Sequence, residues 1–158
     1  MPYETTLIVR DSCLCLHLQR ATRAVARRFD ARLRPFGLKS GQFSLLMALN
    51  RPEPPTIGSI ATLLAMDRTT LTANLKPLER RGLVTITPDD QDRRTRRLAL
   101  TPAGRALLAA AVPVWGATHS EIERCLPGGD PDGLRGELRA LSALVDPQPL
   151  RLSGVGNR

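Results

Sequence analysis

The 158-residue sequence predicts one mainly α-helical domain with a small β-hairpin. In several separate segments, apolar residues recur every three or four positions, which is typical of amphipathic helices. After residue 82, two short β-branched or alternating stretches flank a charged loop, which is the pattern of a hairpin. The length fits a single domain, because domains commonly run to roughly 100–200 residues.

The first predicted helix spans about 22 residues, judged from the spacing of its apolar stripe. The stripe consists of Leu14, Leu18, Ala21, Val25, Phe29 and Leu33. Ser12 is the expected N-cap, because a serine hydroxyl can accept a hydrogen bond from the first turn. Pro35 and Gly37 are expected to end the helix.

Three shorter helices follow, and each begins at a predicted cap. We expect Ser40 to cap a helix over Gly41–Asn50, Thr56 a helix over Ile57–Ala65, and Asp67 a helix over Arg68–Arg81. Gly82 should end the last of these as the residue just beyond its C-terminus. Pro77 lies inside that helix and is expected to kink it.

The predicted hairpin consists of strands Leu83–Thr87 and Arg96–Leu100. The loop between them is entirely polar or charged. Thr101 and Pro102 then begin a helix whose apolar stripe continues to Leu126. A last helix is marked by Leu134, Leu138, Leu141 and Val145, and the tail from Pro147 is expected to be frayed.

Two short helices joined by a tight turn and followed by a hairpin indicate a winged helix-turn-helix. We therefore divide the single domain, residues 1–158, into two parts. Residues 40–101 form a winged lobe with its wing at 83–100, and residues 12–35 and 102–146 form a helical dimerisation region. The long helices carry more apolar surface than the lobe can cover, which favours a homodimer. The alternative is a monomer whose helices pack on its own lobe.

The net charge of +8 is concentrated in the first two thirds of the chain. Residues 1–55 hold nine basic and four acidic side chains, residues 56–105 hold nine and five, and residues 106–158 hold five and six. A protein this basic is usually attracted to polyanions, nucleic acid first among them. The basic surface thus coincides with the predicted first helix and winged lobe.

The second short helix of such a lobe fits the DNA major groove and serves as the recognition helix. Its predicted outer face consists of Arg68, Thr69, Thr72, Ala73 and Lys76. The wing tip carries Arg93, Arg94, Arg96 and Arg97, which can enter a narrow minor groove. The alternative for this tip is a solvated charged loop.

Three motifs then carry a family resemblance. Residues 71–84 read LTANLKPLERRGLV, Asp92-x-Arg94 follows in the wing, and residues 100–104 read LTPAG. In this order they resemble the MarR family of bacterial transcription regulators, from about Cys13 to Val145. The resemblance implies a homodimer with interleaved first and last helices on a palindromic operator. It also implies that Arg94 is the wing arginine and that Asp92 orients it.

The cysteines Cys13, Cys15 and Cys125 leave several mechanisms of regulation open. An odd number of cysteines indicates a reducing cytoplasm rather than a disulfide framework. Part of the chain resembles the organic-hydroperoxide-sensing branch of the family, whose reactive cysteine falls on Cys15. That branch uses two tyrosines to hold the thiolate, and this chain has Phe29 and Ser40 at the two corresponding positions.

A cap at Ser12 would place Cys13 and Cys15 in the first helical turn, where the helix dipole favours a thiolate. The resemblance makes Cys125 a candidate partner for an oxidised Cys15 across the dimer. The alternatives are cysteines acting as small hydrophobes, or release by a small, often aromatic or phenolic ligand. His17, Arg20 and Phe29 are candidate lining for such a ligand.

The sequence predicts no enzyme, because it has no phosphate-binding glycine loop, nucleophile elbow or metal signature. We accordingly expect no cofactor and no metal. The N-terminus lacks a signal peptide and no segment is long enough to span a bilayer, which favours a cytoplasmic protein. The alternative function is a winged-helix accessory module that binds protein or RNA.

Overall fold

The computed structural model describes residues 1–145, with side chains to residue 143. Its elements are, in order, α1 (Tyr3–Ser12), α2 (Leu14–Leu33), a 3₁₀ turn (Arg34–Phe36), α3 (Ser40–Leu49), α4 (Ile57–Leu63), α5 (Arg68–Arg80), β1 (Val84–Pro88), β2 (Arg96–Leu100), α6 (Pro102–Glu123) and α7 (Pro131–Val145). The prediction of a mainly helical chain with one hairpin is confirmed. The predicted frayed tail and residue 146 of the predicted dimerisation region lie outside the described residues.

The core of the winged lobe lies between α3, α4, α5 and the hairpin. Its fully buried side chains include Leu45, Leu46, Ile60, Leu71, Leu75, Leu78 and Leu98. Strands β1 and β2 pair antiparallel, with Val84 opposite Leu100 and Pro88 opposite Arg96. Because the three leucines of α5 face this core, the opposite side of α5 is left at the surface.

Two side-chain caps fix where α4 and α5 begin. Thr56 Oγ1 accepts the Ser59 amide N–H at 3.1 Å, and Asp67 Oδ1 accepts the Thr70 amide N–H at 2.8 Å. The Thr70 hydroxyl also donates to Asp67 Oδ2 at 2.6 Å, and this bond lowers the pKa of the Asp67 carboxyl. Both predicted caps are confirmed, as is the left-handed Gly82 after α5, with φ of 66°.

The recognition helix continues through Pro77. The α-helix is continuous from Arg68 to Arg80 with Pro77 inside it. Pro77 is exposed, so its ring projects away from the core side of α5. The three buried leucines pack the rest of the helix against the core. This packing stabilises the helix although Pro77 has no backbone N–H to donate.

Two of the predicted helix caps are wrong, one at α2 and one at α3. Ser12 ends the additional helix α1, and its hydroxyl donates to the Ile8 carbonyl at 2.7 Å. The N-cap of α2 is Cys13, whose extended backbone separates the two helices. Ser40 is already helical, and its amide N–H donates to Asp30 Oδ1 of α2 at 2.6 Å. The N-cap is Lys39, whose amide N–H donates to Gln42 Oε1 at 3.0 Å, and the Asp30 carboxylate satisfies the next amide from outside the helix.

The long helices α2 and α6 pack on each other and on α3 of the winged lobe. Glu121 of α6 accepts hydrogen bonds from Arg28 at 2.7 Å and from Arg32 at 3.1 Å, and both guanidinium groups lower the pKa of its carboxyl. Trp115 of α6 stacks on Phe43 of α3, with ring centroids 6.1 Å apart. The ion pairs join α2 to α6, and the stacked rings join α6 to the first helix of the lobe.

The N-terminal helix α1 covers none of this core. It has no buried residue, and Tyr3, Ile8 and Val9 expose more than half of their surfaces. Leu134 and Leu138 of α7 are also exposed. Among residues 1–145, none of the helices has the length and apolar character needed to cross a membrane.

Candidate nucleic-acid interface

The outer face of α5 presents the side chains that the sequence places there. Arg68, Thr69, Thr72, Ala73 and Lys76 are all exposed, opposite the buried leucines. Together with Pro77 and Arg80 they line an open groove of about 570 Å³. Arg80 was not predicted, although Arg80 follows Lys76 by four positions and therefore lies on the same helix face. The face combines three cations with small side chains that leave room for a base edge.

Arg68 begins this face beside the first turn of α4. One of its terminal nitrogens lies 3.7 Å from the point where a β-carbon would stand on Gly58. The guanidinium group therefore rests close to the backbone of α4, at the junction of the two short helices. From this position it can reach a phosphate or a base edge near the start of α5.

A largely buried carboxylate, Asp89, organises the loop of the wing. Its side chain is only 11% exposed. Oδ1 accepts the amide N–H groups of Gln91 at 2.9 Å and Asp92 at 3.0 Å, and Oδ2 accepts a hydrogen bond from Arg97 Nε. Arg97 also donates to the Pro54 carbonyl at 2.9 Å, which ties the wing to the linker before α4. Arg97 therefore holds the wing loop against the linker, and the prediction that it belongs to the tip is wrong.

The tip itself is held by Asp92. Its Oδ1 accepts the amide N–H of Arg94 at 3.0 Å, and its Oδ2 accepts the hydroxyl of Thr95 at 3.0 Å. Asp92 thus fixes the backbone of the turn and does not bind the Arg94 guanidinium. Arg93, Arg94 and Arg96 are exposed, and within the described side chains none of the three forms an ion pair. Their charges remain available to a partner.

Sequence reasoning overlooked Asp89 because its partners are set by the folded loop. The available signal was its place directly after the strand-ending Pro88, since aspartate at the start of a turn commonly accepts backbone N–H groups two or three residues on. The contact from Arg97 to Pro54 spans 43 residues and leaves no local trace in the sequence.

The Asp89 carboxylate predicts a pH-dependent contribution to stability. The hydrogen bond from Arg97, with those from Asp92 and Gln91, lowers the pKa of Asp89 below its ordinary value of 3.8. A carboxyl with a lowered pKa stabilises the fold fully above its ordinary pKa, and this stabilisation disappears as the pH falls through the lowered value. Asp89→Asn should therefore reduce the free energy of unfolding most at neutral pH and progressively less below pH 3.8, in urea denaturation measured across this range.

Asp90→Asn is the matched control, because Asp90 is exposed and forms no hydrogen bond in the described part of the chain. Its stability difference from the wild type should stay small at every pH. If the Asp89→Asn difference were as large in acid as at neutral pH, the carboxylate–guanidinium bond would not be its cause.

The three cysteines do not come together as one site. Cys15 is exposed in the first turn of α2, and Gln19 Nε2 lies 3.3 Å from its sulfur. Cys13 is half-buried at the N-cap. Cys125 is exposed and lies beyond the end of α6 at Glu123, not within that helix as predicted. Both thiols at the start of α2 do lie near the helix N-terminus.

Cys15 borders an apolar groove between α2 and α7, which we call the α2–α7 groove. It has a volume of about 570 Å³ and is lined by Leu14, Cys15, Leu18, Gln19, Thr22, Arg23, Leu141 and Ser142. Of the predicted ligand-lining residues, Phe29 packs against the core, and His17 Nε2 lies 3.2 Å from the Asp11 carbonyl oxygen. Arg20 is exposed. None of these three lines the groove.

Among residues 1–145, no three His, Cys, Asp or Glu side chains cluster in a way that could hold a metal ion. Cys13 and His17 share a helix face, but no third ligand joins them there.

The chain is similar to proteins of known family, and the similarity includes this interface. The MarR family model matches residues 36–95, which contain α3 to α5 and most of the wing. The M. tuberculosis transcriptional regulator MosR, solved in complex with DNA, is 34% identical and superposes with a TM-score of 0.78. The superposition covers 86% of this chain and 98% of MosR. The chain belongs to the MarR family.

Two further relatives are transcriptional regulators by name. The organic hydroperoxide resistance transcriptional regulator of Bacillus subtilis is 29% identical over 106 residues, which are 67% of this chain and 72% of that protein. The transcriptional activatory protein BadR of Rhodopseudomonas palustris is 38% identical over 72 residues, which are 44% of this chain but only 41% of BadR. The family consists of transcriptional regulators, so this MarR-family chain is not an enzyme.

Proposed function

We propose that this MarR-family chain is a homodimeric regulator that binds double-stranded DNA in a sequence-specific manner and represses transcription. In this proposal it occupies a palindromic operator and leaves it when a small ligand binds or a cysteine is oxidised. The observation that carries the proposal is the exposed cationic face of α5 beside an arginine-tipped wing. The similarity to MosR, whose structure contains DNA, supports the same conclusion. A cytoplasmic location follows from this function.

The charges of the interface suit a duplex. Arg68, Lys76 and Arg80 run along α5, and the three arginines of the wing tip stand clear of any carboxylate in the described residues. The threonines and Ala73 give α5 a profile low enough to approach base edges in a major groove. The wing arginines suit a narrow minor groove, where the negative potential is strongest.

A second copy is the partner that best covers the apolar surface of the long helices. Tyr3, Ile8 and Val9 of α1 and Leu134 and Leu138 of α7 are exposed, and an apolar groove lies between α2 and α7. An exposed apolar surface of this kind is typical of an interface. A twofold axis would place two α5 helices about 34 Å apart, the length of one DNA turn.

The DNA proposal is tested by selecting duplexes from a random pool and measuring their affinity by fluorescence anisotropy. We expect a self-complementary sequence to be enriched and to bind at least a thousandfold more tightly than a scrambled duplex, the lower end for specific sites. Enrichment of no sequence, with equal binding of all duplexes, would contradict specific recognition.

The same measurement distinguishes the alternative function, an accessory module that binds protein or RNA. An A-form RNA duplex has a deep and narrow major groove that α5 cannot enter. We expect RNA of the selected sequence to bind much more weakly than DNA. Tighter binding to RNA would favour the accessory-module alternative.

Regulation by Cys15 can be separated from regulation by a ligand. A hydroperoxide would convert the Cys15 thiolate to a sulfenic acid and release the alcohol. Cys125 of a second copy would then displace water to form a disulfide. The similarity to the B. subtilis organic hydroperoxide resistance regulator supports this route, and the apolar α2–α7 groove supports entry of an organic molecule.

We expect cumene hydroperoxide to release the wild-type protein from its selected duplex, and Cys15→Ser to remain bound. Cys13→Ser is the matched control, since Cys13 lies two residues away and outside the groove. Release of Cys15→Ser to the same extent as the wild type would exclude sensing through Cys15 and favour the ligand route.

The direction of regulation needs its own experiment, because BadR is an activator by name. We expect a reporter behind the selected operator to be expressed more strongly when the gene for this chain is deleted. Lower expression in the deletion strain would identify the protein as an activator.

A further inference from the structure

Arg81 joins the end of the recognition helix to the end of α2. It follows α5 directly, and its two terminal nitrogens donate to the carbonyl oxygens of Gly37 at 2.6 Å and Phe36 at 2.9 Å. These carbonyls lie in the turn between α2 and α3, more than 40 residues earlier in the chain. Among the described side chains, no other arginine of α5 or its C-terminus reaches the α2 end of the molecule in this way.

The turn is shaped to receive this guanidinium group. Gly37 has a left-handed backbone with φ of 62°, and a β-carbon there would stand 3.3 Å from the Arg81 guanidinium. Both neighbouring carbonyls point at one side chain. A guanidinium group presents its N–H donors in a rigid planar fork, so it can bind two acceptors in one orientation, whereas lysine has a single nitrogen on a flexible stem.

The other link between α5 and α2 is apolar, because Leu33 of α2 and the three leucines of α5 belong to one buried core. Apolar burial is not directional, so it fixes the depth of packing better than it fixes a helix angle. The two hydrogen bonds of Arg81 are directional. They act at the C-terminal end of α5, where a small rotation displaces the whole reading face.

We infer that Arg81 is a positioning residue that sets the angle between the recognition helix and α2, and thereby the spacing between half-sites that the dimer accepts. This inference rests on the proposed function, because α2 belongs to the region that joins the two copies. A change of angle in each copy is doubled across the twofold axis. Arg81 contacts no DNA in this role and acts through α5.

The test compares operators whose half-sites are moved apart or together by one base pair. Each added pair shifts a half-site by about 3.4 Å and rotates it by about 34°, given 10–10.5 base pairs per turn. The affinities of the wild type, Arg81→Ala and Arg81→Lys are measured on the selected duplex and on both spacing variants. Arg81→Lys keeps the charge, and Arg124→Ala removes one positive charge at the far end of α6.

We expect the wild type and Arg124→Ala to lose at least tenfold in affinity when the spacing changes. Both Arg81 variants should bind the selected duplex about tenfold less tightly than the wild type and should discriminate between spacings by less than threefold. Their affinity for a single half-site should be unchanged, which a general loss of structure would not allow.

Equal spacing discrimination in the wild type and the Arg81 variants would overturn the inference, and so would unfolding of both variants. If the wild type binds DNA but tolerates every spacing, the inference is wrong while the proposed function stands. If the wild type binds no duplex, the proposed function is wrong, and the inference that rests on it is wrong as well.

Discussion

Replacing Arg94 with alanine is expected to weaken binding to the selected duplex about a hundredfold, because the loss occurs once in each wing and each is worth about 1.4 kcal/mol, or tenfold. Arg94 is exposed at the tip of the wing, and the Asp92 carboxylate holds its backbone and not its charge. No carboxylate among the described side chains pairs with this guanidinium, so it is available to DNA. Fluorescence anisotropy at several salt concentrations measures the effect.

The slope of log affinity against log salt should also fall by about 0.9 for each cation that no longer displaces a counterion. Arg124→Ala is the control, because it removes the same charge at the C-terminal end of α6, about 33 Å along that helix from the wing side. If Arg94→Ala remained a dimer and bound the duplex with unchanged affinity, the wing arginine would not contact DNA.

Replacing Gly104 with alanine is expected to destabilise the fold by about 3 kcal/mol, a typical cost of overpacking a tight contact. A β-carbon at residue 104 would overlap the carbonyl oxygen of Leu83 and approach its carbonyl carbon to 3.0 Å. That oxygen accepts the Thr101 amide N–H at 3.1 Å, so it cannot move without separating the start of α6 from the hairpin. Thermal unfolding should show a decrease in Tm of roughly 6–12 °C.

The sign of this effect is the test, because glycine to alanine in a helix is normally stabilising by about 1 kcal/mol. Gly116→Ala lies in the same helix and meets no atom within 4 Å in the described residues, so it should be neutral or stabilising. If both substitutions raised Tm, the close approach of α6 to Leu83 would not hold in solution.

The elements of the winged lobe were predictable because their signals are local. Asp67 caps the helix that follows it, Gly82 ends that helix, and the leucines of α5 repeat at helical spacing. The hairpin alternation located both strands to within one residue. The exposed face of α5 followed directly, since fixing three buried positions of a helix fixes the opposite face.

The predictions were wrong where distant residues decide the local structure. The Ser40 amide donates to Asp30, ten positions earlier, instead of the Ser40 hydroxyl capping α3. Arg97 binds Asp89 and Pro54, so it does not belong to the wing tip. The helix α1 was missed because it buries nothing in this chain and therefore has no clear apolar stripe. Dimerisation depends on a second copy of the chain, and regulation depends on a ligand or an oxidant. The sequence of one chain indicates both only indirectly.

The central claim is that two copies of the chain present paired α5 helices and wings to one duplex. Sedimentation equilibrium of the free protein and of its complex with one selected duplex measures this directly. We expect twice the mass of one chain without DNA and two chains for each duplex in the complex. A free protein with the mass of a single chain, together with one chain for each duplex, would contradict the claim.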